Sequence, residues 1–179
     1  MISSIRLAKY LEKREDREKI YKLIIDDYPE NPMANLARLR IAELQNKAGE
    51  YKQSIATINE LFLDNPRALK QEALFLKQNS FESLFKWMIE KGNYPEVLSL
   101  YESDKRALDT YENPNIYSLV GESYFQGHLY EGAAKLLLEA ENYTRDNKNP
   151  DKYTYMLGVA LQESGETEKA FIHLNRYIK

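Results

Sequence analysis

The chain repeats one local pattern at a period of 36 to 37 residues. A glycine occupies the same place in the pattern at positions 121 and 158, and Phe85 occupies that place one period earlier. Both Gly121 and Gly158 are followed by an alanine twelve residues later, and Ala42 begins an earlier match. A repeat of this length predicts an array of helical hairpins. Each hairpin leaves an apolar face that a neighbouring hairpin must cover, so the pattern favours a protein that presents a surface.

Proline and glycine fall between the apolar periodic segments, and no alternation typical of strands is found. Read as helix pairs within a single domain (1–179), these breaks predict repeats at 35–68, 78–111, 114–147 and 151–179. A degenerate hairpin at 1–32 precedes them. The segment 67–77 is longer than the regular joint and predicts a helical insertion, either an extended first helix or a short extra one. Asn79 with Glu82 three residues later has the pattern of a capping box, which favours a helix start near Gln78.

Composition and charge exclude several classes of protein. Lys and Arg number 25 against 28 Asp and Glu, a net charge of −3 with both signs interspersed. A nucleic-acid surface would instead concentrate positive charge, so no nucleic-acid partner is expected. The chain has no cysteine, which excludes disulfides and thiolate zinc sites. No apolar run approaches the ~18 residues that span a bilayer, so no membrane insertion is expected.

The sequence leaves the cellular compartment open between two expectations. The first residues lack the unbroken apolar stretch of a signal peptide. This favours a cytoplasmic location for the chain as it stands. A periplasmic location is expected instead if the chain is a fragment of an exported precursor.

No residues form the pattern of a catalytic or cofactor site. His128 and His173 are far apart in the sequence, and no metal-ligand spacing is present. Gly127 with Gly132 has half of a phosphate-loop pattern, but the Lys-Ser/Thr pair that such a loop requires does not follow. We therefore expect no enzymatic activity, no metal and no cofactor.

The repeated pattern resembles the tetratricopeptide repeat (TPR), whose hairpin follows Trp-x2-Leu-Gly-x2-Tyr, then Ala-x3-Phe, then Pro. The match is strong in Tyr117–Ala140 and Leu157–Leu174, and moderate in Phe81–Tyr101 and Ile41–Pro66. The resemblance implies an all-α fold, a right-handed α-α superhelix of about four to five helical hairpins. The repeat spacing and the joint at 28–32 are also similar to those of bacterial envelope proteins of this superfamily.

The resemblance further implies a binding surface, because in this family the first helix of each pair lines a concave groove that contacts a peptide. The expected function is a non-catalytic scaffold that holds a peptide or helix of a partner protein there. The partner-binding positions carried onto this chain are Arg40, Glu43, Lys47, Lys86, Ile89, Glu122, Phe125, Lys152 and Tyr155. Ile89, Phe125 and Tyr155 are the sharper candidates, since an exposed apolar stripe on a concave surface usually has a purpose.

Three alternatives remain open at this stage. The last hairpin leaves several apolar residues without a capping helix, which favours a self-association module. Its candidate residues are Phe171, Leu174, Tyr177 and Ile178. A helical-repeat RNA binder would share the hairpin and a similar period, but the acidic groove positions Glu43 and Glu122 disfavour it. An enzyme domain elsewhere in a longer chain would leave no trace in these residues.

Overall fold

The computed structural model is helical through most of the chain that it describes, which comprises residues 5, 8, 10–64, 67, 69–109, 112–143 and 152–178. These residues contain no strand, and the predicted all-α class is confirmed. Their long helices are α1 (Arg14–Asp27), α2 (Pro32–Lys47), α3 (Tyr51–Asp64), α4 (Lys70–Glu90), α5 (Tyr94–Asp109), α6 (Pro114–Gln126), α7 (Tyr130–Tyr143), α8 (Lys152–Glu163) and α9 (Thr167–Ile178).

Several predicted repeat boundaries lie outside the described residues. They are the start of the N-terminal hairpin at 1–4, the joint at 65–66, and the end of the second repeat at 110–111. The end of the third repeat at 144–147 and both ends of the fourth, at 151 and 179, also lie outside. Residue 68 of the predicted insertion lies outside as well.

Two helices, α2 and α6, begin with an asparagine cap that is followed by proline. The side-chain oxygen of Asn31 accepts a hydrogen bond from the backbone N–H of Met33 at 2.9 Å. Asn113 accepts one from the N–H of Asn115 at 3.0 Å. The proline that follows each cap is the first residue of its helix, where a missing N–H costs nothing. The turns within the pairs use Gly49, Gly92 and Gly165, all with positive φ, as a helix C-terminus favours.

The chain forms two compact units, Met1–Ser83 and Leu84–Lys179. In the first unit, Leu39 and Ala42 of α2 pack with Ile58 and Leu61 of α3 and with Ala73 of α4. A second cluster joins α1 to α2 through their buried apolar residues, Tyr21, Ile24, Ala37 and Ile41.

A buried serine pair fixes α3 and α4 within the first unit. The Ser54 hydroxyl donates to the carbonyl oxygen of Ala42 at 2.9 Å and lies 3.0 Å from the Ser80 hydroxyl oxygen. Ser54 and Ser80 are both fully buried. A hydroxyl at the alanine position of the repeat is therefore accommodated by hydrogen bonds, as burial of a polar group requires.

Helix α4 is one continuous helix of 21 residues. Asn79 and Glu82 lie in its interior, so the predicted capping box at that point is wrong. The helix already includes the residues before Asn79, because Ala73 and Leu74 are buried on one side of it. Tertiary packing thus outweighs a local start signal here.

In the second unit, α6 packs against α7 and α8 against α9, with a glycine at each close contact. A Cβ on Gly121 would lie 2.8 Å from Cγ of Leu137. One on Gly158 would lie 2.7 Å from Cγ and Cδ2 of Leu174. The two helices of each pair therefore approach each other closely at these glycines.

Candidate functional site

An ion pair with a buried carboxylate and an exposed ammonium group joins α6 to α8, the first helices of neighbouring pairs. The Nζ of Lys152 donates to both carboxylate oxygens of Glu122, at 3.0 and 2.8 Å. Glu122 is only 6% exposed, whereas Lys152 is exposed. Burial lowers the pKa of Lys152 and the hydrogen bond to Glu122 raises it, with a raised pKa as the net result. These two predicted partner-binding residues therefore bind each other, and Lys152 is the one that faces solvent.

The two aromatic candidates on α6 and α8 differ in exposure. Phe125 is half-buried, packs on the apolar cluster of the second unit and meets the Tyr130 ring edge-to-face at a centroid distance of 5.8 Å. Tyr155 is 45% exposed, and its ring centroid lies 5.4 Å from that of Tyr177 on α9. The structure thus brings a predicted groove residue together with a predicted self-association residue.

Helix α9 carries a strongly exposed set of apolar side chains. Phe171 is 68% exposed and Ile178 is 82% exposed, while Leu174 is half-buried against Gly158. The spacing of three and four residues places Phe171, Leu174 and Ile178 along one side of the helix. We call the exposed set Tyr155, Phe171, Tyr177 and Ile178 the α8–α9 apolar face. Sequence reasoning missed Ile172, which is 63% exposed.

The remaining predicted partner-binding residues lie on α2 and α4. In the first unit, Arg40 and Glu43 form an ion pair with each other at 2.5 Å, and Lys47 is exposed at the end of α2. In the second unit, Lys86 is exposed and Ile89 is half-buried on α4. Exposed lysines such as Lys47 and Lys86 add positive charge to the surface but do not indicate which partner would bind.

The structure also contains a tyrosine-lined cavity that the sequence did not reveal. It opens between α5, α6 and α7, has a volume of about 310 Å³, and is lined in part by Tyr101, Tyr117, Tyr124 and Tyr143. The sequence does not reveal this cavity because helix packing brings its tyrosines together with the carboxylates of Asp109 and Glu112.

Within the described residues, no group of three or more His, Asp or Glu side chains is placed to hold a metal ion. No described helix combines the length and the apolar character that crossing a membrane demands.

Comparison with known proteins identifies the fold. No protein-family model matches the sequence, and no curated protein matches it. A crystal structure of MamA protein is similar at 13% identity with a TM-score of 0.59, over 99% of this chain and 92% of that chain. MamA 41-end from Desulfovibrio magneticus RS-1 is similar at 14% identity with a TM-score of 0.56, over 98% of this chain and 93% of that chain. The MamA RS-1 ArsTM double mutant gives 14% identity and a TM-score of 0.58 over the same shares.

These similarities, together with the helix pairs closed on Gly121 and Gly158, show that the chain is an all-α helical-repeat protein with a TPR-like fold. At such low identity the comparison defines the fold, and the binding surfaces are argued from this chain's own residues.

Proposed function

We propose that the chain is a non-catalytic scaffold that binds a peptide or a helix of a partner protein on the first-helix surface of α6 and α8. The observation that carries this proposal is the exposure of Tyr155, a residue that is 45% exposed and whose ring stands beside that of Tyr177. A tyrosine combines a large apolar ring with a hydroxyl, which is why this residue is enriched in protein interfaces. Lys152 lies one helical turn before Tyr155 and supplies a charged rim.

The proposed partner segment is an amphipathic helix or extended peptide with apolar anchor residues. A groove of this kind reads such anchors by packing them between first helices. Phe125 on α6 is half-buried against the apolar cluster of this unit, and the Glu122–Lys152 pair holds α6 and α8 together beneath the partner. Charged pairs at the rim set orientation more than affinity.

Replacing Tyr155 with serine tests this proposal, because the side chain is exposed and its loss leaves the helix core intact. Once a partner has been captured and purified, we expect Tyr155→Ser to weaken its binding by about tenfold or more, as truncation of a tyrosine anchor does. Calorimetric titration measures the effect, and circular dichroism checks that helicity is unchanged. The matched control is Leu129→Ser, at a residue that is 52% exposed in the α6–α7 turn. Equal affinity of wild type and Tyr155→Ser for every partner would exclude this surface.

A second candidate function, self-association, is favoured by the α8–α9 apolar face. The helix α9 exposes four large apolar side chains, Phe171, Ile172, Tyr177 and Ile178, and clustered apolar exposure often marks an interaction site. A second copy that placed the same face against this one would remove these side chains from water. An isologous contact of this kind is the commonest arrangement in homodimers.

The self-association candidate predicts a mass that rises with concentration and a variant that stays monomeric. We expect Phe171→Glu/Tyr177→Glu to abolish any dimer, because two carboxylates would be buried in an apolar contact. Sedimentation equilibrium across a concentration series measures the mass. Leu63→Glu, at a residue 83% exposed on α3, is the control and should leave the dimer unchanged. A wild-type chain that remains monomeric throughout the series contradicts this candidate.

A further inference from the structure

The cavity between α5, α6 and α7 lies apart from the α6–α8 surface, and its walls are dominated by tyrosine rings. Tyr117 and Tyr124 of α6 line it with Tyr101 of α5 and Tyr143 of α7. Tyr117 and Tyr124 lie seven residues apart on α6, on a different side of that helix from Phe125. A volume of about 310 Å³ is at the lower end of the range for small-molecule sites. We call this cavity the tyrosine pocket.

Three hydroxyl groups of the tyrosine pocket are held by carboxylates, and one of them is the Tyr143 hydroxyl, which is hydrogen-bonded to Glu112. The Tyr101 hydroxyl donates to the Oδ1 of Asp109 at 3.0 Å, and the Tyr101 side chain is buried. The Tyr124 hydroxyl donates to the Oε1 of Glu102 at 3.0 Å. An ionised carboxylate accepts several hydrogen bonds, so Asp109 retains acceptor sites when it binds one hydroxyl. The pocket is therefore built with fixed rings and oriented negative charge.

The carboxylates that line the pocket, those of Asp109, Glu112 and Glu139, outnumber its two lysines. Burial raises the pKa of Tyr117 to about 12, with further contributions from the carboxylates of Asp109, Glu112 and Glu139. The Tyr117 and Tyr143 ring centroids lie 6.4 Å apart. An aromatic ring presents the negative side of its quadrupole at its face, which adds to the field of the carboxylates.

One lysine side chain of the pocket lies over a tyrosine ring and pairs with Glu102 at 3.4 Å. Lys105 and Lys135 also line the cavity, and both are exposed. The Nζ of Lys105 lies 5.5 Å from the Tyr101 ring centroid, a distance suited to a cation–π contact. This ammonium group belongs to the chain itself and lies at one wall, whereas Tyr117 and Tyr143 face the carboxylates of Glu112 and Glu139.

We propose that the tyrosine pocket binds a guanidinium or ammonium group carried on an apolar stem. The charged group lies against Glu112 and Glu139, and the stem packs on the Tyr117 and Tyr143 rings. The shared chemistry is that of an arginine or lysine side chain of a partner protein and that of a free diamine or guanidine. This inference does not depend on the proposed function, because the pocket and the α6–α8 surface have different residues.

Agmatine, a guanidinium on a short alkyl stem, is the probe, and its neutral alkylurea analogue is the control ligand. We expect saturable agmatine binding to the full chain by calorimetry or NMR and no saturable binding of the urea. Tyr143→Ala and Glu112→Gln, both at exposed side chains, are expected to weaken agmatine by about tenfold or more. Tyr28→Ala, at a residue 50% exposed in the first unit, is the matched control and should bind as wild type does.

Absence of saturable agmatine binding would overturn the proposal, and so would equal binding of the urea or wild-type affinity of Tyr143→Ala. A capped tripeptide with a central arginine separates the two sources of the cation. Tighter binding of the peptide than of agmatine supports a partner's side chain, whereas tighter binding of agmatine supports a free small cation. Loss of agmatine binding in Tyr143→Ala would leave the Tyr155→Ser test unchanged, so the two proposals fail independently.

Discussion

Replacing Gly158 with valine is expected to lower the free energy of unfolding of the second unit by about 3 kcal/mol, the upper end of the range for overpacked sites. The reason is the contact between α8 and α9, where a Cβ at this position would lie 2.7 Å from Leu174 Cγ and 3.2 Å from the Leu174 backbone nitrogen. A leucine side chain can rotate away, but the backbone of α9 cannot move without separating the pair. Urea denaturation followed by far-UV circular dichroism measures the loss.

Gly127 provides the matched control for Gly158→Val. It ends α6 with φ near −82°, and a Cβ there would lie no closer than 3.5 Å to any neighbour. Gly127→Ala is therefore expected to change the free energy of unfolding by no more than about 0.5 kcal/mol. If Gly158→Val unfolded at the same urea concentration as wild type, the close contact of α8 and α9 would be wrong.

Replacing Phe85 with alanine is expected to lower the free energy of unfolding by about 3–5 kcal/mol, as removal of a buried phenylalanine does. Phe85 is 0% exposed, although it occupies the small-residue position of the repeat. Its removal would leave a cavity next to other buried side chains of the second unit. The same denaturation experiment reports the loss.

Phe75 offers a control with the same residue on the same helix. It is 66% exposed on α4, so Phe75→Ala is expected to change the free energy of unfolding by no more than about 0.5 kcal/mol. A comparable loss in both variants would mean that burial does not explain the role of Phe85. A loss in Phe85→Ala alone would assign the effect to packing.

The helix pairs could be predicted from the sequence because their determinants are local and repeated. Gly121 and Gly158 recur at a fixed offset before Ala133 and Ala170, and the structure places each glycine against the second helix of its pair. The asparagine-proline joints likewise act within a few residues of their own position. Local signals of this kind are sufficient for element type and for the partner helix within a pair.

The continuous helix α4 was one of two options for the segment 67–77, and the sequence could not decide between them because two local signals conflicted there. Asn79 and Glu82 have the spacing of a helix start, whereas Ala73 and Leu74 continue a helical apolar face. The conflict is decided by the burial of Ala73 and Ser80, which depends on neighbouring helices. Tertiary contacts of this kind leave no mark in the residues around position 79.

The sequence names candidate residues for the surfaces but does not show how these residues are arranged. Glu122 and Lys152 were separate candidates, but they are 30 residues apart and pair because α6 packs against α8. Arg14 and Glu50, 36 residues apart, form a similar ion pair in the first unit. The tyrosine pocket required the same information, since Tyr101 and Tyr143 come from different helix pairs. Residue identity is readable from a sequence, whereas the juxtaposition of distant side chains follows from packing.

Photo-crosslinking tests the proposed binding surface most directly. A photoreactive phenylalanine analogue is placed at Tyr155 or, as the control, at Leu129, which has a similar exposed fraction. After irradiation in cells of the source organism, the adducts are identified by mass spectrometry. We expect one defined protein adduct at position 155 and none at position 129, with the crosslinked partner segment being helical or extended and apolar. The absence of any adduct at position 155, or the same adducts at both positions, would contradict the assignment of the α6–α8 surface as the partner-binding site.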